Sequence, residues 1–271
     1  MPHISSIVVS EKSLDILKKN LALEFPIDTK KIKAYSLGSN LSFSEEIDSK
    51  RKEIVLNLIK NMRSLDLEND MDAFSFVCGH IFNYFLSVNL EPYIEFLSSC
   101  KEKVDYKDPK AIIEECLNIY LLRHCLNTDY AGLNKRKVFK VKMDTSTTTL
   151  INKTYKEMFN IKNMDAKYKK AYYKLSLLTS SPIKKNIILK FMDINYMSIN
   201  DLTNLRHKEY LDMAKRKVNY TLDDIIDKSV NEAVNMIIDF EDYLSKHTEF
   251  AALEEDLDNT SGPIKKYVYI K

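Results

Sequence analysis

A chain of 271 residues, with 45% hydrophobic and 30% charged residues, is long enough for one large or two ordinary globular domains with an apolar core. Its four glycines fall far below the usual share of about 7%, and they occur singly, which excludes the glycine-rich phosphate loops of nucleotide-binding folds. The net charge of +2 excludes no class of partner by itself. Few glycines and prolines among many Lys, Leu, Ile, Glu and Asp predict a mostly all-α protein, a multi-helix globular bundle with a few short minor β-strands.

The N-terminal 40 residues predict strand, helix and strand in that order. Residues 4–9 form a β-branched run that predicts a short strand, a helix follows from near Ser10, and "KIKAYSLG" at 31–38 predicts a second short strand. The next helix opens with a capping box, in which Ser42 accepts from the amide of Glu45 and the Glu45 side chain reaches back. Its apolar stripe at helical spacing comprises Ile47, Ile54, Val55, Leu58, Ile59 and Met62.

The most apolar stretch is residues 73–88, which carries no charge. Its 16 residues are fewer than the roughly 20 that a membrane span needs, and Glu91 and Pro92 follow it. It therefore predicts a central buried helix and no membrane span. His80 lies inside this run without metal or catalytic partners three or four residues away, which indicates a core histidine satisfied by hydrogen bonds.

Prolines and caps predict the remaining elements. Pro92 and Pro109 each fit the first turn of a helix, and Asp108 caps the second of these. Residues 138–143 alternate as a strand does, and the terminal segment 262–271 predicts a strand that pairs with it. Further helices are predicted at 150–160, 165–178, 181–192, 198–218 and about 222–247.

The cysteines and the N-terminal sequence indicate in which cellular compartment the protein is expected. Cys78, Cys100, Cys116 and Cys125 form no close pairs of the kind that zinc sites use, so we expect buried, reduced thiols and no metal or cofactor. The sequence "MPHISSIVVSEKS" lacks the basic and apolar segments of a signal peptide, which favours a cytoplasmic protein. Abundant Lys, Asn, Ile and Tyr without Trp indicate an AT-rich gene, as in many phages and viruses, and a viral chain would act in the host cytoplasm.

Charge is strongly segregated along the chain. Residues 1–133, 134–217 and 218–271 carry 16, 20 and 5 basic side chains against 20, 7 and 12 acidic ones, giving net charges of −4, +13 and −7. We therefore divide the chain into an N-terminal helical region, 1–133, and a basic-then-acidic helical region, 134–271, which could also be one continuous domain.

The basic segment 134–217 favours an anionic partner, because clustered lysines attract polyanions and interleaved tyrosines offer stacking surfaces. The alternative is that these lysines only solvate helix faces while Tyr172 and Tyr173 pack inward. Two helices across 182–217 also fit a helix-turn-helix in length, but their connection is long and lacks glycine. The candidate binding residues are Lys135, Arg136, Lys137, Lys140, Lys142, Lys169, Lys170, Lys184, Lys185, Arg206, Lys208, Lys215, Arg216 and Lys217.

A second motif is the DDxxD spacing of Asp223, Asp224 and Asp227. It resembles the aspartate-rich motif of isoprenoid synthases, helical enzymes in which such carboxylates hold magnesium against a diphosphate. That resemblance implies a second acidic motif, and residues 200–209 do not match one. The residues themselves favour a helix start, with Thr221 as the N-cap and Asp224 completing a capping box.

These observations favour a non-catalytic helical binding, assembly or regulatory protein whose basic middle segment docks on an anionic partner, with a protein as the expected partner. Scattered histidines, the lack of paired metal ligands and the lack of a nucleophile motif support this over an enzyme. One alternative is a protein that binds DNA or RNA through 134–217. Another is a magnesium-dependent helical enzyme of isoprenoid-synthase type.

Overall fold

The computed structural model describes residues 3–20, 26–37, 43–67, 69–99, 109–128, 141–180, 210–211 and 217–258. Ten α-helices account for most of these residues, which confirms the mostly all-α class. The helices are α1 (His3–Asn20), α2 (Thr29–Tyr35), α3 (Glu45–Asp48), α4 (Arg51–Ser64), α5 (Met71–Ser99), α6 (Pro109–His124), α7 (Thr145–Phe159), α8 (Met164–Ser180), α9 (Leu222–Leu244) and α10 (Phe250–Asp258). One antiparallel pair, β1 (Tyr210–Leu211) and β2 (Lys217–Val218), is the only sheet among the described residues.

Helix α5 lies at the centre of the described fold. It packs against α1, α2, α4, α6, α7 and α9, and its residues from Asp72 to Leu86 are all buried. Gly79 sets how closely α2 crosses it, because a Cβ atom there would lie 2.6 Å from the Cβ of Tyr35 and 2.7 Å from its carbonyl carbon. The central buried helix predicted from residues 73–88 is therefore confirmed.

The two strands predicted near the N-terminus are wrong, because residues 4–9 lie within α1 and α2 covers most of 31–38. Ile4, Ile7 and Val8 are buried at helical spacing. The β-branched residues of this run therefore indicate a buried helix and not an extended strand. Asp28 begins α2 by accepting hydrogen bonds from the amides of Lys30 and Lys31.

Pro92 does not begin a helix, and this prediction is also wrong: α5 continues through it to Ser99. One missing backbone hydrogen bond is outweighed here by packing against six neighbouring helices. The full α5 is long and apolar enough to cross a membrane by length and composition, although 89% of its most apolar window is buried inside the fold. The 16-residue count therefore underestimated its length.

Helix starts were predicted with mixed success. Thr221 caps α9 with both bonds of the capping box to Asp224, and Pro109 begins α6, as predicted. The capping box predicted for Ser42 and Glu45 is wrong, because α3 begins at Glu45 with Ser44 as its N-cap, whose Oγ accepts from the Ile47 amide. Asp108 lies outside the described residues. The six residues of the predicted stripe from Ile47 to Met62 are buried, but the single predicted helix is divided into α3 and α4.

The later predictions fall partly outside the described residues. Residues 141–143 are described and belong to no strand, and the rest of the predicted 138–143 strand and the whole 262–271 strand lie outside the described ranges. A helix over 198–218 is wrong at 210–211 and 217–218, where the chain forms β1 and β2 instead. The segment 181–192 lies outside the described part. Of the cysteines, Cys78 and Cys116 are buried as predicted, Cys125 is exposed against the prediction, and Cys100 lies outside.

Candidate anionic-partner interface

The described part of the basic segment is a helical hairpin formed by α7 and α8, and a buried carboxylate fixes where it begins. Asp72, only 3% exposed at the start of α5, accepts from the Asp144 amide at 2.7 Å and from the Thr147 hydroxyl at 2.6 Å. Lys31 Nζ lies 2.7 Å from the same carboxylate, and the Tyr35 hydroxyl donates to it at 2.8 Å. Burial alone would raise the pKa of Asp72, but hydrogen bonds from Lys31 and Thr147 hold it below its usual value.

The turn between α7 and α8 is closed by polar side chains. Asn160 ends α7 in the left-handed conformation that asparagine tolerates well. Asn152 and Asp165 then bond reciprocally, the amide of Asn152 donating at 2.9 Å and its oxygen accepting from the Asp165 backbone at 3.1 Å. Lys169 donates to Asp165 at 2.8 Å from one turn further along α8. These bonds hold the two helices as a defined hairpin.

The inner face of α8 is locked into the core by a directed chain of hydrogen bonds. His80 Nδ1 lies 3.1 Å from the Phe76 carbonyl, which only accepts, so Nδ1 carries the proton. His80 Nε2 then accepts from the Tyr168 hydroxyl at 2.9 Å, and the Tyr168 oxygen accepts from Tyr155 at 2.7 Å. Met164 and Tyr172 are buried on the same side of α8. His80 is thus a satisfied core histidine, as predicted.

Burial controls the protonation of this chain. His80 is 2% exposed, and burial lowers its pKa to about 4 against the weaker opposing effect of the Phe76 carbonyl. Burial likewise raises the pKa of Tyr155 and Tyr168 above the usual range for tyrosine. The three side chains are therefore neutral near pH 7, which is why they pack without counter-ions.

The opposite side of α8 is the surface that we call the α8 outer face: Ala166, Lys169, Lys170 and Tyr173, all exposed. Lys167 is exposed at the edge of this face, three residues before Lys170. Tyr173 is 64% exposed and follows Lys170 by three residues and Lys169 by four, so the ring and the two lysine stems are neighbours on one helix face. Within the described ranges, Lys167 and Lys170 take part in no ion pair or hydrogen bond.

The surroundings of the α8 outer face are also basic. Over residues 141–173 the exposed charged side chains are six lysines and two carboxylates: Lys142, Lys156, Lys162, Lys167, Lys169, Lys170, Asp144 and Glu157. A surface of this composition attracts anions and speeds their encounter with the protein.

The structure locates only some of the candidate binding residues. Lys142, Lys169, Lys170 and Lys217 are described and exposed. The other ten lie outside the described residues: Lys135, Arg136, Lys137, Lys140, Lys184, Lys185, Arg206, Lys208, Lys215 and Arg216.

Sequence reasoning did not single out Lys167 or the exposed position of Tyr173. Of the interleaved tyrosines, Tyr155, Tyr168 and Tyr172 belong to the core, whereas Tyr173 lies outside it. The signal was available, because Met164, Tyr168 and Tyr172 are spaced four apart and define the inner face. Residue 173 then falls among the lysines.

The DDxxD residues begin a helix, as predicted. The Asp224 carboxylate accepts from the Thr221 amide at 2.8 Å, and the Asp224 amide donates to the Thr221 hydroxyl at 3.2 Å. Asp227 pairs with Lys12 of α1 at 2.9 Å. Two of the three carboxylates are therefore engaged by the fold, and the described residues contain no cluster of three metal-ligating side chains.

A small cleft lies where His80 and Tyr155 approach α3 and α4. Its walls are mainly apolar, with Phe43, Ile54 and Val55 among them, and Arg51 Nε has no hydrogen-bond partner within the described structure. The enclosed part leaves room for about one or two water molecules. The α8 outer face is thus the stronger candidate for binding a macromolecule.

Comparison of the sequence with family models, with curated proteins and with solved structures gives no significant match. Any functional inference has to be carried by the residues of this chain.

Proposed function

We propose that this chain is a non-catalytic helical binding protein, of assembly or regulatory type, that docks on an anionic partner through its basic segment 134–217. The α8 outer face forms the described part of that interface. The observation that carries the proposal is that Lys169 and Lys170 lie four and three residues before the exposed ring of Tyr173 on one face of α8, with Lys167 exposed at the edge of that face.

A rigid support favours such an interface. Tyr168 on the inner face is held by His80 and Tyr155, and Asp165 at the start of the helix is held by Asn152. The helix backbone is therefore already in place before a partner binds, which reduces the ordering cost of association. The lysine side chains themselves are exposed and lose only part of their hydration when they meet anionic groups.

Charge also favours a partner over a purely solvating role. Lys12, Lys31 and Lys33 elsewhere in the chain pair with carboxylates of the fold, whereas Lys167 and Lys170 pair with none in the described residues. Exposed pairs contribute little to stability, so leaving Lys167 and Lys170 without carboxylate partners costs the fold little and keeps their charge available for steering an anionic partner.

The test is elution from a heparin column with a salt gradient. Replacement of Lys167, Lys169 and Lys170 by Gln should lower the salt concentration at which the protein elutes, because fewer counterions are exchanged on binding. The matched control replaces Lys18, Lys110 and Lys246, three exposed lysines on other elements, and so changes the net charge equally. Equal shifts for the two triple variants would reduce the effect to net charge and remove the proposal.

A further inference from the structure

We propose that the chain formed by His80, Tyr168 and Tyr155 is a reversible hydrogen-bond relay. A proton taken up by His80 reverses both hydrogen bonds of the chain and turns the Tyr155 hydroxyl towards Asp48 in the small cleft. The relay couples the charge of a core histidine to a carboxylate on another helix. It lies on the inner side of α8 and uses none of the lysines of the outer side, so it is independent of the proposed function.

The direction of the chain in the neutral protein is fixed at one end. The Phe76 carbonyl only accepts, so His80 carries its proton on Nδ1 and its Nε2 accepts from Tyr168 at 2.9 Å. A hydroxyl has a single proton, so the Tyr168 oxygen accepts from Tyr155 at 2.7 Å. Both hydroxyl protons therefore point towards His80, and Tyr155 donates into the core.

A second proton on the His80 ring makes Nε2 a donor as well. The Tyr168 oxygen then accepts from Nε2, and the Tyr168 proton turns to the oxygen of Tyr155. The distances of 2.9 Å and 2.7 Å suit both directions of these bonds. Reversal requires only the rotation of hydroxyl protons, whereas separating the rings would open a core in which His80 is 2% and Tyr168 is 0% exposed. Reversal is therefore the less costly response to the proton.

The reversed chain ends at the cleft, because the Tyr155 proton has then lost its acceptor in the core. Asp48 and Tyr155 both line that cleft. Burial chiefly, and the Asp48 charge to a smaller degree, raise the pKa of Tyr155, so the carboxylate lies within electrostatic reach of this hydroxyl. A carboxylate has about four acceptor positions and can take one more hydrogen bond beside those it already makes. Asp48 is the acceptor that we assign to the Tyr155 hydroxyl in the reversed chain.

The other groups around His80 leave Asp48 as the anion of this region. The titratable and charged side chains that line the cleft or belong to the ring cluster around His80 are Tyr35, Asp48, Arg51, Tyr84, Tyr155, Tyr168 and Tyr172. The cation of this set, Arg51, is paired with Glu91 at 2.6 Å. On α9, the charge of Glu241 acts on Cys78, which lies about 200° around α5 from His80.

The first test follows the His80 imidazole by NMR of protein labelled with ¹⁵N-histidine, from pH 7 to below the pKa of about 4. The chain has five histidines, and the spectrum of His80→Gln assigns the His80 signals. We expect the Nδ1-protonated neutral ring at pH 7 and the imidazolium at the lowest pH, with the α8 amides still protected from hydrogen exchange. Loss of that protection as His80 becomes charged, or unfolding before it does, would show that the chain breaks and would overturn the relay.

The second test is a double-mutant cycle on the pKa of His80. Asp48→Asn should lower this pKa by about half a pH unit or more, because the reversed chain loses its charged acceptor. The matched control is Glu46→Gln, which removes an exposed carboxylate of the same helix outside the cleft and should lower the pKa by less. Tyr155→Phe keeps the ring and removes the hydroxyl through which the coupling passes.

In the Tyr155→Phe background, Asp48→Asn should therefore lower the pKa of His80 by no more than Glu46→Gln does. An equal effect of Asp48→Asn with and without the Tyr155 hydroxyl would show that the carboxylate acts only through space, and it would overturn the relay. Circular dichroism at pH 7 checks that each variant is folded.

Discussion

Helices α8 and α9 both carry a dense cluster of charge, but the fold uses the two clusters differently. At the start of α9 the carboxylates have structural partners, Asp224 within the capping box and Asp227 with Lys12. On α8, Lys167 and Lys170 have no such partner in the described residues, although the other side of the helix is bound into the core. The charge motif at the start of α9 is explained by these structural contacts, whereas the charges of Lys167 and Lys170 are not explained by any contact within the described residues.

The largest expected effect concerns the anchor of the α7–α8 hairpin. Asp72→Asn removes the charge that Lys31 and the hydroxyl and amide donors surround, and it leaves the partly buried Lys31 ammonium with only the exposed carboxylate of Asp144. We expect a loss of about 3 kcal/mol in the free energy of unfolding, measured by urea denaturation.

The matched control for the anchor is Asp227→Asn, which breaks the exposed pair with Lys12 and should cost less than about 1 kcal/mol. Similar losses for the two variants would contradict the central position assigned to Asp72.

The second effect is a pH dependence that originates at His80. Its pKa is about 4 in the folded protein and near 6.5 when unfolded, so the unfolded chain takes up a proton first as the pH falls. The contribution of His80 to the free energy of unfolding is therefore fully present above pH 6.5 and is lost as the pH falls from about 6.5 to 4. It does not change further below pH 4. The total loss is about 3 kcal/mol. Asp72, whose pKa is lowered, adds a loss only at still lower pH, below the usual carboxylate range.

Urea midpoints from pH 7 to pH 4 check this window. His80→Gln removes the titrating ring, so the variant should be less stable at pH 7 and should show a flatter dependence between 6.5 and 4. If the urea midpoint of His80→Gln falls with pH as steeply as that of the parent protein, other groups cause the acid sensitivity.

A smaller effect tests the other half of the comparison, the start of α9. Thr221→Ala removes the side-chain half of the capping box and should cost about 1 kcal/mol. Asp223→Asn, at an exposed carboxylate of the same turn, should cost less, because it alters only the interaction with the helix dipole. Thermal unfolding should be insensitive to magnesium, and a magnesium-dependent rise in Tm that vanishes in Asp223→Asn would favour a metal site instead.

Much of the fold could be predicted from local sequence patterns. Helix α9 was predicted to within a few residues because its capping box is encoded by residues at the start of the helix itself. The N-terminal strands were mispredicted because the β-branched residues of 4–9 are buried on a helix by distant parts of the chain. Pro92 misled for a similar reason, since packing around α5 overrides a local helix breaker.

In the candidate site, too, local sequence patterns predicted some features and distant contacts determined others. Segment-level charge pointed to residues 134–217, but charge counts do not distinguish the inner from the outer side of a helix. Adjacent Tyr172 and Tyr173 have opposite environments because a single residue step turns the helix by about 100°. Tyr168 donates a hydrogen bond in the core to His80, which is 88 residues away, and no local sequence pattern predicts that contact.

The central claim is that the α8 outer face serves a partner and not the fold. Urea denaturation with and without heparin tests both halves of it in one measurement, because a ligand that binds the native state raises the midpoint. The account predicts equal midpoints without heparin for the parent protein and the Lys167, Lys169 and Lys170 to Gln variant, and a rise with heparin that is much larger for the parent. A lower midpoint of the variant without heparin, or an equal rise for both proteins, would contradict it.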